Sequence, residues 1–407
     1  MRRTLIIAAV VIVLLGAGAA IYFSFFSGSS AGVAVTTPSG NTSLPSAGQG
    51  AVPATDTTTS TGGTSNTPTG SLSAPVAVSS RLMKISAGPV VPGEAVITKA
   101  ATASSSPETT VSYIDRQSGN IFSYSTLTKQ NTRTSNKTIP GIQSASWLPN
   151  GSVAFVRYLS GNDFSTINTY ALPANGSSGF FLAQNLADVS VSASGVLTLA
   201  SGVNGSTASL SRTDGTRAAS AFSSPLSSLR ASFAGKQYLA TTKAAASLSG
   251  SAFLVDAAGH FSRVAGPLTG LVAHASPSGK WVLASYTNNA ALQTQLVNVA
   301  TGETIPLPVA TIADKCVWAS DDSAIYCGIP ADPPANASYP DDWYQGAVHF
   351  SDRIWKIQVA GRYAQLVLDF TKETKDSLDA TALAIDASNT TLVFVNKNDG
   401  SLWSYSL

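Results

Sequence analysis

The amino-acid sequence predicts an all-β protein built as a seven-bladed β-propeller, with six or eight blades as the neighbouring counts. Three observations carry this. A strand-turn-strand signal recurs at 146–156, 191–199, 231–239, 274–283, 317–326 and 385–394. Its turn residues Gly151, Gly195, Gly235, Gly279 and Asp322 stand 44, 40, 44 and 43 positions apart, a period that holds four strands and one blade. The apolar runs between turns are short, rich in β-branched and aromatic residues, and punctuated by Gly, Asn and Pro; no segment after Phe26 keeps a helical period.

The chain begins outside this pattern. Arg2 and Arg3 precede an uncharged apolar run from Leu5 to Phe26. As a helix this run would span about 33 Å, the thickness of a hydrocarbon core. The positive flank before it, with no Lys or Arg after it until Arg81, directs the N-terminus to the cytoplasm and the remainder outside. Residues 1–27 are therefore read as a cytoplasmic stub and a transmembrane signal-anchor helix. A cleaved signal peptide is the alternative, since Ala17-Gly18-Ala19 offers a small-residue site; the apolar stretch continuing through Ile21, Tyr22, Phe23, Phe25 and Phe26 favours retention. Either way the following domain is exported, to the outer side of a cell membrane or, after cleavage, as a secreted protein. Residues 28–78 are almost entirely Ser, Thr, Gly, Ala, Pro, Asn and Val, with Asp56 their one charge. Such a segment buries too little apolar surface to offset its ordering entropy and is predicted to be a disordered linker.

The propeller domain is assigned to 79–407. Its clearest unit is 271–309: an inner strand over 271–275, a turn over 276–280, a second strand over 281–286, a third over 293–298, a turn at Thr301-Gly302 and an outer strand over 304–307. The two ends of the domain complement each other. The C-terminal segment 401–407 reads as a third strand without a fourth, and Arg81–Ser86 reads as a fourth strand without the first three. Pairing Arg81–Ser86 with the last blade closes the ring and hides both edges.

Cys316 and Cys327 flank a hairpin whose turn is centred on Asp321 and Asp322. That register places the two cysteines opposite each other, and Trp318 opposite Ile325. Directly opposed residues lie within disulfide reach, and an exported domain permits the bond. Two cysteines without a nearby histidine do not make a zinc set, so no metal site is assigned.

The wording of the repeats resembles TolB-type and WD-like bacterial propellers, whose blades carry a Ser-Pro-Asp-Gly turn between their first two strands. Ser276-Pro277-Ser278-Gly279 and Leu148-Pro149-Asn150-Gly151 are the nearest matches, and Asp115–Gly119 and Asn298–Gly302 fit the turn before the outer strand. Lys84-Ile85-Ser86 with Pro89-Val90, and Trp343-Tyr344-Gln345-Gly346, are similar to membrane-anchored bacterial propellers. No Trp-Asp pair ends a third strand and no Gly-His opens a blade, which separates the chain from true WD repeats. The resemblance implies architecture, not activity.

The repeat fails once. The sixth unit carries an insertion, 329–352, which lengthens the interval from Asp322 to Asn389 to 67 residues. Long loops in compact domains are commonly functional. Asp341, Asp342, Trp343, Tyr344, His349 and Asp352 supply carboxylates beside an aromatic surface, a pattern suited to a sugar, a cationic group or a peptide. The competing reading is that Trp343 and Tyr344 pin the loop to the propeller. His274, at a repeat position, reads as a residue that staples blades together.

Several functions lack their signatures. With 11% charged residues and a net charge of +2, the chain has no basic face for nucleic acid. No Gly-x-Ser-x-Gly elbow is present and the histidines His260, His274 and His349 are scattered; no catalytic residue and no cofactor is assigned. The sequence therefore points to a membrane-anchored extracytoplasmic binding or scaffolding module for a protein, peptide or glycan at the cell envelope. The alternatives are a cell-surface hydrolase or lyase using the funnel and the 329–352 loop, and a structural subunit of an envelope complex.

Overall fold

Strands that are apolar on both faces need cover on both sides, and a ring of sheets provides it. The six residues Thr391–Asn396 are all buried, as are the seven of Ala324–Pro330. A computed structural model describes residues 74–101 and 106–407. In it, seven antiparallel sheets form the blades of a β-propeller. Blade 1 covers residues 95–133, blade 2 142–181, blade 3 186–224, blade 4 229–269, blade 5 272–306 and blade 6 316–369; blade 7 combines 380–406 with 76–86. The anchor predicted at 1–27, and the linker at 28–78 up to residue 73, lie outside the described residues. Among the described residues no helix is long and apolar enough to cross a membrane.

The core is divided into seven apolar clusters, one at each blade interface. Blade 5 shows why: Val282 and Ala284 face blade 4, whereas Leu283 faces blade 6. Its strands, Val272–Ala275, Trp281–Asn288, Ala291–Asn298 and Thr304–Pro306, fall where the sequence placed them.

The ring closes as predicted. Leu82–Ser86 pairs with the C-terminal strand Leu402–Ser406, opposing Leu82 to Tyr405 and Lys84 to Trp403. Leu82 and Ile85 are fully buried, one in each of the clusters flanking blade 7. The Arg81 guanidinium lies over the Tyr405 ring and donates from Nε to the Ser406 carbonyl at 2.7 Å. A short fifth strand, Val76–Ala77, covers the outer edge of Leu82–Ser86, within the stretch read as linker.

Alternation of strand direction sorts the connections onto two faces. Turns between first and second strands, and between third and fourth, lie on the lower face. Turns between second and third strands, and blade-to-blade connections, lie on the upper face. The recurring sequence turn is a clasp on the lower face. Gly235 and Gly279, at φ 61° and 76°, abut so closely that a Cβ on Gly235 would lie 2.2 Å from the Ser278 carbonyl oxygen, and one on Gly279 2.4 Å from that of Ala234. At the next interface Asp322 accepts hydrogen bonds from the hydroxyls of Ser276 and Ser278. Cys316 and Cys327 are paired in register and joined in a disulfide, with Cα atoms 4.1 Å apart.

Candidate functional site

The insertion leaves blade 6 between its second strand, Ala324–Pro330, and its third, Asp352–Gln358. It therefore lies on the upper face. It contains one short helix, Asp341–Gln345, ended by Gly346 in the left-handed conformation. Asp342 accepts the Ser338 amide and so fixes the turn into the helix; Asp341 accepts the Ala246 amide of blade 4, tying the loop across the face.

Beneath the helix lies a buried charged anchor. The Lys315 ammonium bonds to Asp379, to Asp352 at 2.8 Å and to the Ala380 carbonyl at 3.0 Å. It also lies 4.9 Å from the centre of the Trp343 ring and 5.0 Å from that of Phe350. Trp343 is stacked on Phe350, and its Nε1 donates to Asp379 at 3.0 Å. The Phe350 amide donates to the same carboxylate. Asp352 accepts the Ala380 amide through Oδ2, while its Oδ1 is buried without a protein partner. Burial pushes the Asp352 carboxyl up to about 6; Lys315 opposes this and Asp379 adds to it. Lys397 donates to the Trp343 carbonyl from blade 7.

Asp314 precedes Lys315 and joins a different cluster. It accepts Arg230 Nη1 of blade 4 at 3.0 Å, His274 Nε2 of blade 5 at 2.5 Å and the Tyr344 hydroxyl at 2.7 Å. Burial opposes its ionisation, but Arg230, His274 and Tyr344 together hold its carboxyl well below the usual range. An ionised Asp314 can only accept, so the His274 proton on that side is carried by Nε2. Burial, then the Asp314 charge, pushes the Tyr344 phenol up. The Arg230 side chain remains 45% exposed and Tyr344 40% exposed. This cluster is the open part of the site: one guanidinium edge, one imidazole and one aromatic face, held by a saturated carboxylate.

The residues proposed from sequence thus separate. Trp343 and Asp352 meet in the buried anchor. Asp341 and Asp342 are bound to backbone amides, His349 is exposed on the far limb of the loop, and Tyr344 alone joins the open cluster. Sequence reasoning did not find Asp314, Lys315, Arg230 or Asp379. His274 does bridge elements, through Asp314. Between the insertion and blades 4 and 5 lies a hollow of about 330 Å³ lined by Ser247, Thr269, Thr287, Asn289, Ser338 and Tyr339. A cleft of about 480 Å³ lies on the lower face at the ring closure, lined by Arg81, Glu108 and Lys129 among others, remote from these clusters. Among the described residues no group of three His, Cys, Asp or Glu side chains is placed to hold a metal ion. The Lys315 ammonium occupies the space between Asp352 and Asp379.

No family model matches the chain, and no curated protein matches it. Among solved structures it is similar to an oligogalacturonate lyase in complex with manganese, at 8% identity over 79% of this chain and 97% of that one, with a TM-score of 0.50. It also matches an oligogalacturonate lyase from Vibrio parahaemolyticus, at 7% identity over 80% and 93% of the two chains, TM-score 0.49. A third is the hydrazine synthase of Kuenenia stuttgartiensis, at 12% identity over 78% and 96%, TM-score 0.49. Likeness at this identity shows the fold alone: this chain is a β-propeller.

Proposed function

We propose that the protein is a membrane-tethered, extracytoplasmic propeller that binds a protein, peptide or glycan at the cell envelope through its upper face. The observation that carries the reading is the half-exposed set of Arg230, His274 and Tyr344 around a carboxylate they already satisfy. A guanidinium edge beside an aromatic face suits a ligand rich in oxygen acceptors, such as a peptide backbone or a sugar. The Arg2-Arg3 flank and the apolar run that follows support the tether, and the resemblance of the turns to TolB-type propellers supports an envelope role. The test is binding of the full chain to immobilised envelope peptides and glycans. Arg230→Met and Tyr344→Ala should each weaken capture at least tenfold, while His349→Ala leaves it unchanged. Equal capture by all variants would refute this site.

A second reading, a cell-surface lyase or hydrolase, is favoured by the likeness to the oligogalacturonate lyase fold. Tyr344 is a poor base in this setting, since burial and Asp314 keep it protonated. His274 is the group left to accept a proton. Cleavage of a polyuronate by the full chain, abolished in His274→Gln, would establish this reading over simple binding.

A further inference from the structure

The upper face is uneven. The insertion covers its blade 4 to 7 side, but over blades 2 to 4 it displays Leu159, Phe164, Val203, Leu226 and Leu248, all exposed. Two of these stand at the tips of turns between second and third strands. Val203, in Gly202-Val203-Asn204-Gly205, is 99% exposed, and Phe164, held at φ 53°, is 67% exposed. Scattered surface apolar side chains are ordinary, but these five stand on one face over three adjacent blades. Beside Val203 a shallow hollow of about 520 Å³ is lined by Ser206, Thr207, Ser223 and Ser224.

The direction of the chain identifies an occupant. Leu82–Ser86 runs from the lower face to the upper, as the bond from the Ser406 amide to the Arg81 carbonyl fixes. Val76–Ala77 is antiparallel to it, so the polypeptide arrives at blade 7 from the upper side. The roughly fifty residues between Phe26 and Ala74, read from the sequence as a linker, would have a mean reach of about 40 Å as a flexible coil. A domain tethered by its upper side can turn that side toward the surface that holds the tether.

We propose that the upper face of blades 2 to 4 rests on a lipid bilayer, with Phe164 and Val203 inserted at headgroup depth and the polar hollow beside Val203 receiving a headgroup. This rests on the reading of the N-terminal segment as a membrane anchor. Single apolar side chains on turns rich in Gly, Asn and Asp suit shallow insertion into an interface. The placement brings the Arg230–Tyr344 site close to the membrane and selects for ligands that are themselves membrane-proximal.

The test uses the full chain in phosphatidylcholine vesicles. Both native cysteines are in the disulfide, so Phe164→Cys, Val203→Cys and, as a lower-face control, Leu127→Cys each provide one labelling site for a solvent-sensitive fluorophore. The expected result is a blue shift and a several-fold loss of quenching by aqueous iodide at 164 and 203, with no change at 127. Failure of the chain to float with the vesicles would refute the anchor and, with it, the docking. Flotation with equal quenching at all three positions would refute the docking while leaving the anchor standing. Protection at 164 and 203 in detergent without lipid, together with cross-linking between chains through 203, would overturn the proposal in favour of a second copy on this face.

Discussion

Lys315→Met removes the one cation between two buried carboxylates while keeping a side chain of similar length. Asp379 retains the Trp343 indole and the Phe350 amide as donors, whereas Asp352 keeps only the Ala380 amide. Asp352 therefore bears most of the loss. Breaking a buried ion pair by removing one partner costs about 3–5 kcal/mol, which for a domain of this size lowers Tm by about 4–7 °C. The cost depends on pH. In the native protein the Asp352 carboxyl is already raised from 3.8 to about 6, a difference equivalent to about 3 kcal/mol. A raised folded-state value makes a contribution that is full below the unfolded value and lost as pH rises through the folded one. The wild-type protein should therefore lose stability from this group between pH 4 and 6, and Asp352→Asn should flatten that slope. In Lys315→Met the carboxyl rises further and takes up a proton, so the variant should be crippled at pH 7.5 and partly restored at pH 5. Thermal melts followed by tryptophan fluorescence and calorimetry at both pH values read this directly. A variant that melts within about 2 °C of wild type at pH 7.5, or that loses the same amount at both pH values, would refute the assignment of Lys315 as the keystone of the anchor.

Three further outcomes follow from the fold. Deleting residues 74–88 removes the strand that closes blade 7 and should abolish a single cooperative melting transition; a truncated chain melting like the intact one would disprove the closure. Cys327→Ser opens a loop with a sequence separation of 11 and should cost about 2–3 kcal/mol, while the oxidised native chain should yield no thiol on titration. Gly93 has φ +103°, and a Cβ there would lie 1.9 Å from the Ala145 carbonyl oxygen, so Gly93→Ala should destabilise by at least about 1–3 kcal/mol. Urea denaturation would detect that loss, and an unchanged midpoint would show that blades 1 and 2 can separate at this point at no cost.

How much of this was legible in the sequence depended on whether a residue's partner was near in sequence or followed a period. The blades were legible because a two-residue alternation and a fixed turn spacing are local. Cys316 and Cys327 were legible because one hairpin turn fixes their register. Ring closure was legible because each end showed half of a blade. Val76–Ala77 was not, since two exposed residues carry no pattern. Arg230 and His274 are each the one ionisable residue of an inner strand, and their shared partner, Asp314, lies 84 and 40 residues away. Asp314 and Lys315 belong to a one-turn 3-10 helix in a connection, Ala313–Lys315, where no repeat constrains what they do.

The insertion shows the limit most plainly. Its carboxylates and aromatic rings suit a ligand, yet the groups that hold a loop to a protein are the same groups that hold a sugar or peptide to a loop. What separates the two uses is which side of the helix faces inward. Trp343 and Tyr344 are consecutive residues, about 100° apart around the helix, so they cannot face the same way. Trp343 turns inward because Asp379 and Lys315 wait beneath it, 36 residues ahead and on the preceding blade connection. Tyr344 is thereby directed to the rim, where Asp314 holds its hydroxyl and leaves part of its ring exposed. The buried anchor thus decides which aromatic residue reaches the rim, and on the binding reading proposed above a variant that loosens the anchor should weaken capture through Arg230 and Tyr344 without touching either residue.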